Sequence, residues 1–313
     1  MTTQPRSGSA VPLSMGVAAL ATVAAAAGLL TGGGTGPAPF VTVRGETVEL
    51  YGQGLYRYDT LFAGAGQRGT DAVVLLLGVP LLLRAALRYR RGSSRAGLLL
   101  LGTLVFFLYV YGSAALGTVA YNRLFPVYVA LFSASLFAVA RLLATVDRTE
   151  LSDRCDTGPR RGVGVFLLLS GAVTALVWGV PMVAAAVTGV PTDRLDSYTT
   201  DVTYALDLAI ITPAALLAGA LILRRKATGH LLALSLLVLE AMLAPLIIAQ
   251  TVSQLAAGVT FTPAEVVGPM VGFVVIAGAA LWFLIGLLRA PDTAPTGHAG
   301  AHQADAVAVG GLR

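Results

Sequence analysis

Eight apolar blocks, most of them long enough to cross a bilayer, dominate the 313-residue sequence and restrict it to one architecture. They run approximately over residues 11–30, 72–87, 96–116, 124–144, 163–187, 202–223, 230–249 and 266–288. About 20 residues at 1.5 Å rise span the hydrocarbon layer. In lipid every backbone polar group needs a partner within its own segment, so blocks of this kind are helices. Composition agrees: 56% of residues are hydrophobic and 12% charged, whereas about a quarter of a soluble domain is charged. The expected fold is an all-α polytopic transmembrane bundle of eight spans, residues 11–290. A short N-terminus precedes it, and a small, polar tail from Pro291 reads as disordered. The second block is the shortest and contains Pro80, and Arg84 extends it because its long stem can snorkel to the interface.

Basic residues orient the bundle. With the N-terminus inside, sixteen of the 21 Lys and Arg residues fall on cytoplasmic segments and five (Arg44, Arg57, Arg68, Arg123 and Arg194) on outer ones. That bias is the positive-inside signal, and it puts both termini in the cytoplasm. Twenty of these residues are arginine against the single Lys226, a usage expected of a GC-rich bacterium and its plasma membrane. The net charge of +5 belongs to this sidedness and is no sign of nucleic acid. An alternative treats the first block as a cleavable signal sequence, which would leave seven spans and an outer N-terminus.

The long outer segment, residues 31–70, opens Gly- and Pro-rich. It then alternates through Val41, Val43, Val48 and Leu50 around Arg44-Gly45, the pattern of a β-hairpin. A lone hairpin is marginal in water, so it is expected to pack on the outer mouth of the bundle. A Gly- and Tyr-dense stretch to Asp59 follows. Nine of the ten tyrosines, all but Tyr89, lie in outer loops or outer halves of spans. An aromatic belt would be two-sided, and acids including Asp59 and Asp71 gather on the same side.

Within the membrane, Glu240 lies near the midplane of the seventh block, five residues before Pro245. A carboxylate at that depth must be paired, hydrated or protonated, and it marks function by default or else a packing hydrogen bond. Asp201, Tyr204 and Asp207 share one side of the sixth span, and Asp207 and Glu240 are expected to line one outward-opening cavity suited to protons or cations. Asp71 reads first as an N-cap of the second span. The candidate ligand or ion residues are therefore Glu240, Asp207, Tyr204, Asp71, Asp59 and Tyr109.

Several chemistries are excluded. Lys226 sits beside Arg224 and Arg225 at the inner surface, so no intramembrane lysine can form a retinal Schiff base. His230 is at the inner mouth and His298 and His302 are in the tail, which rules out bis-histidine haem. The lone Cys155 reads as a solvated thiol, and no phosphate loop, G-x-S-x-G or H-E-x-x-H occurs. No cofactor and no metal site is expected. Gly268 and Gly272 form a weak G-x-x-x-G. No inverted repeat is legible, and no catalytic motif stands above background. The expected function is small-solute or ion transport through an outward-facing polar pocket. The alternative is a scaffold that binds an envelope or membrane partner through the Tyr-rich loop.

Overall fold

The computed structural model describes residues 10–145, 160–192 and 194–289. The expected disordered tail, Cys155, His298 and His302 lie outside them. Among the described residues eight helices are long and apolar enough to cross a membrane, and a two-stranded antiparallel sheet follows the first. We number the helices α1 (Ala10–Leu30), α2 (Leu61–Arg90), α3 (Ser94–Gly117), α4 (Phe125–Thr145), α5 (Arg160–Thr188), α6 (Val202–Leu223), α7 (Ala227–Ala256) and α8 (Pro263–Arg289). The chain is a multi-pass membrane protein, and its sides are named below by the basic-residue bias.

The helices form two rings of four in chain order. In the first, α1 packs on α2 and α4, and α3 packs on α2 and α4; in the second, α6 packs on α5 and α7, α7 packs on α8, and α8 meets α5 only narrowly, so that ring stays open between α5 and α8. The halves meet where α7 lies against α2 and α3, and where the outer end of α6 touches α3. Without a hydrophobic force between helices in lipid, close approach depends on small residues. A Cβ on Gly69 of α2 would overlap the Ala249 carbonyl of α7, and one on Gly102 of α3 would meet Val238 of α7. A Cβ on Gly272 of the G-x-x-x-G, by contrast, would meet nothing within 4 Å, and the side chain at 268 lies outside the described set.

The second span corrects the sequence reading. It begins at Leu61, well before residue 72, and runs 30 residues. Its N-cap is Thr60, whose hydroxyl accepts from the Ala63 amide, so Asp71 lies inside the helix and is no cap. Both α2 and α6 contain one π-helical turn, Val74–Gly78 and Asp207–Ile211, each ending two residues before a proline, Pro80 and Pro213. A proline mid-helix lacks its amide and clashes with the carbonyl four residues back. The wide turn shifts that carbonyl aside, and the bond before each proline runs instead from Val79 to Val74 and from Thr212 to Asp207.

The hairpin pairs β1 (Ala38–Val41) with β2 (Thr47–Leu50), Phe40 opposite Val48. Val43 sits in the connecting turn, not in a strand, and is 96% exposed. The hairpin packs through its ends. At the tip, Arg44 bonds Glu46 and the backbone carbonyl of Asp196. At the base, the Gly33–Gly36 and Gly52–Gly54 segments cross backbone to backbone; Gly52 has φ +67° and a Cβ there would strike Gly36.

Candidate functional site

Four acidic side chains are sorted by the helices into separate pairs, three of them with tyrosine. Asp59 ends the loop before α2 and is 4% exposed. It accepts from Tyr198 at 2.7 Å and from Thr118 at 3.5 Å, which pins three outer segments together. Burial pushes its carboxyl up to about 6, against the lowering pull of the Tyr198 hydroxyl. Burial, and then the Asp59 charge, push the Tyr198 hydroxyl upward too, so it stays a donor.

About three turns into α2, Asp71 accepts from Tyr56 at 2.6 Å, and the Tyr56 and Tyr128 hydroxyls stand 3.2 Å apart. All three are buried. Gly28 of α1 faces them, and any Cβ there would overlap the Asp71 carboxylate. Burial first, then the Asp71 charge, hold the Tyr56 hydroxyl well above its usual range. Tyr128 is one end of an aromatic column, stacked on Tyr111 at 6.2 Å, which stacks on Phe107 at 6.1 Å. This column fills the interior of the first ring.

In the second half, Asp207 opens the π turn of α6 and accepts from Tyr109 of α3 at 2.9 Å. Trp178 of α5 also bonds its carboxylate, and the Trp178 ring lies 4.5 Å from Tyr204. Glu240 sits mid-helix on α7, 3% exposed. Its Oε1 accepts from Ser170 of α5 at 2.6 Å, and its Oε2 is buried with no protein partner among the described residues. At a midspan position an unpartnered carboxylate oxygen calls for a proton or a cation. The burial of α7 changes here: from Gly229 to Glu240 every residue but Leu232 is buried, while Ala241, Ala244 and Pro245 just outward are partly accessible.

The sequence candidates thus fall in different places. Asp207, Tyr109 and Tyr204 come together; Glu240 pairs with Ser170; Asp71 and Asp59 belong to the outer end of the first half. Asp207 and Glu240 each bond other side chains and not one another. Sequence reasoning missed Ser170, Trp178 and the Tyr56–Tyr128 pair. Only the outward bias of tyrosine hinted at the last, because each partner is supplied by a remote segment. No group of three or more His, Cys, Asp or Glu suited to a metal occurs among the described residues. Compared with protein-family models, curated proteins and solved structures, the chain matches none of them.

Proposed function

We propose that this protein is a transporter of a small solute or ion in a bacterial plasma membrane, with Glu240 and Asp207 as its coupling carboxylates. The observation that carries the reading is the Glu240 side chain: buried midway along the central helix, bonded by Ser170 through one oxygen, and left with the other oxygen unpartnered among the described residues. Asp59 likewise leaves its Oδ2 buried and unpartnered among the described residues, but at the outer end of the bundle, whereas Glu240 does so at midspan, where an unsatisfied carboxylate is most costly. The accessible stretch of α7 immediately outward of it gives a direction of approach. Asp207 stands on the neighbouring helix α6 with Tyr109 and Trp178, outward of the midplane.

The test is reconstitution in liposomes with a pH-sensitive dye inside and small solutes added outside one at a time. The wild type is expected to move protons in response to at least one solute, and Glu240→Gln to lose that movement while its thermal unfolding is unchanged. Movement that survives Glu240→Gln sinks the role of this residue. The second reading, a scaffold, draws on the outer hairpin, where Phe40, Val41 and Val43 are exposed at 45%, 62% and 96%. Tyr56 and Asp59 are buried anchors, so the proper deletion is residues 38–50 alone, bridged by Gly-Ser. A scaffold loses a co-purifying partner on that deletion, and an unchanged purification rejects the idea.

A further inference from the structure

The two inner helices of each half, α2–α3 and α6–α7, repeat one another at a spacing of 133 residues. Val74–Gly78 recurs as Asp207–Ile211, Pro80 as Pro213, the helix end Arg90 as Leu223, and the helix start Ser94 as Ala227. The connecting turns agree bond for bond. Amides of Arg91, Gly92 and Ser93 bond the carbonyls of Leu87, Tyr89 and Arg88; amides of Arg224, Arg225 and Lys226 bond those of Ala220, Ile222 and Leu221. Gly92 and Arg225 both take positive φ, 92° and 59°. Contacts between the halves follow the same exchange, α3 with α7 mapping onto itself and α2 with α7 onto α6 with α3, while the outer helices differ: α1 packs broadly on α4 and α5 only narrowly on α8. The two helix pairs run in the same direction, so α2–α3 and α6–α7 form a parallel repeat.

Such a repeat lets one half report what the other lacks. The first ring is filled by Phe107 and Tyr111, both buried and stacked. At the equivalent positions the second ring has Glu240 and Ala244, so two aromatic rings are replaced by a carboxylate and a methyl group. Among the described residues Glu240 Oε2 is buried without a partner, and Ala244 is half-buried. Above them, Ser170, Thr174 and Trp178 recur at four-residue intervals along one side of α5, leading from the Trp178–Tyr204 pair past Asp207 to Glu240.

The geometry points to the second ring as the binding site of a small protonated amine with an aromatic body, its ring beside Ala244, where the first half has Tyr111, and its ammonium paired with the Glu240 carboxylate once that side chain turns outward. Opposite charge pairs strongly with a desolvated carboxylate. The aromatic Trp178–Tyr204 pair and Asp207 favour a cation on the way in. This assignment rests on the transport reading and names its substrate class.

The experiment uses the full chain in nanodiscs and calorimetric titration with phenethylamine, with phenethyl alcohol as the neutral probe of similar shape. Phenethylamine is expected to bind, and the alcohol to bind at least about tenfold more weakly. Glu240→Gln is expected to weaken the amine at least about tenfold. Ala244→Tyr, which rebuilds the filling of the first half, is expected to abolish binding while thermal unfolding reports an intact bundle. Where that larger side chain prevents folding, Glu240→Gln decides alone. No binding of the amine to wild type, equal binding of the alcohol, or binding indifferent to Glu240→Gln each overturns the assignment. In those cases Glu240-dependent proton movement driven by another solute in liposomes would leave the transport reading standing, so the two failures are told apart.

Discussion

At the residue scale, this protein handles buried acid by placing a hydroxyl donor on it from a distant segment. Tyr56 serves Asp71, Tyr109 serves Asp207, Tyr198 serves Asp59 and Ser170 serves Glu240. The sequence separations reach 98 residues for Tyr109–Asp207 and 139 for Tyr198–Asp59. Position along the chain therefore announced the acids and the outward tyrosines, and could not announce the pairs. Asp59 gives a test with a sign. Its carboxyl lies at about 6 in the folded protein against 3.8 for the free group, raised by burial. A raised acid favours the protonated form, so its contribution is fully present below about 4, falls as pH climbs towards 6, and stays lost above that, a difference of about 3 kcal/mol. Thermal unfolding followed between pH 4 and 7 should show a steeper decline for wild type than for Asp59→Asn. Coincident slopes would mean Asp59 does not control the docking of the outer loop.

Elements were legible to the extent that hydropathy speaks for them. Seven of the eight spans lie where apolar runs place them; the second differs because its first turns read Leu-Phe-Ala-Gly-Ala-Gly-Gln-Arg-Gly-Thr-Asp. Glycine and polar residues in water mark a loop. Here Gly69 is a point of close approach to α7, and Gln250 and Gln254 of α7 bond Thr70 and the Phe62 carbonyl, so packing supplies what propensity withholds. The π turns were equally hidden, since hydropathy carries no information about one extra residue. Their link to the prolines can be tested on α2. Removing Leu76, a 71% exposed residue inside the wide turn, returns the helix to ordinary register and restores the proline clash, at a cost of about 3 kcal/mol. Adding Pro80→Ala to that deletion is expected to recover most of the loss in thermal unfolding. A deletion that is harmless by itself would show that the wide turn does not serve the proline.

For the whole molecule, the parallel repeat explains why the sequence concealed it. Lipid-facing helices draw on the same few apolar residues, so shared leucines between the halves carry little weight. The visible marks are Pro80 with Pro213 and Arg91 with Arg224, and their equivalence emerges only when the turns and the helix ends fall at one spacing. The repeat also constrains sidedness. Equivalent spans run in the same direction, so the turns at Gly92 and Arg225 lie on one side, and both are arginine-flanked, as the positive-inside bias requires. Cysteine chemistry tests this directly, because Cys155 is the only cysteine in the chain and lies on the connection between the halves. In intact cells a membrane-impermeant maleimide should leave Cys155 unlabelled until the membrane is opened. The exposed hairpin turn gives the opposite reporter: Val43→Cys combined with Cys155→Ser should label at once. The reverse pattern would invert the bundle and put Asp59, the tyrosine pairs and the approach to Glu240 on the cytoplasmic face.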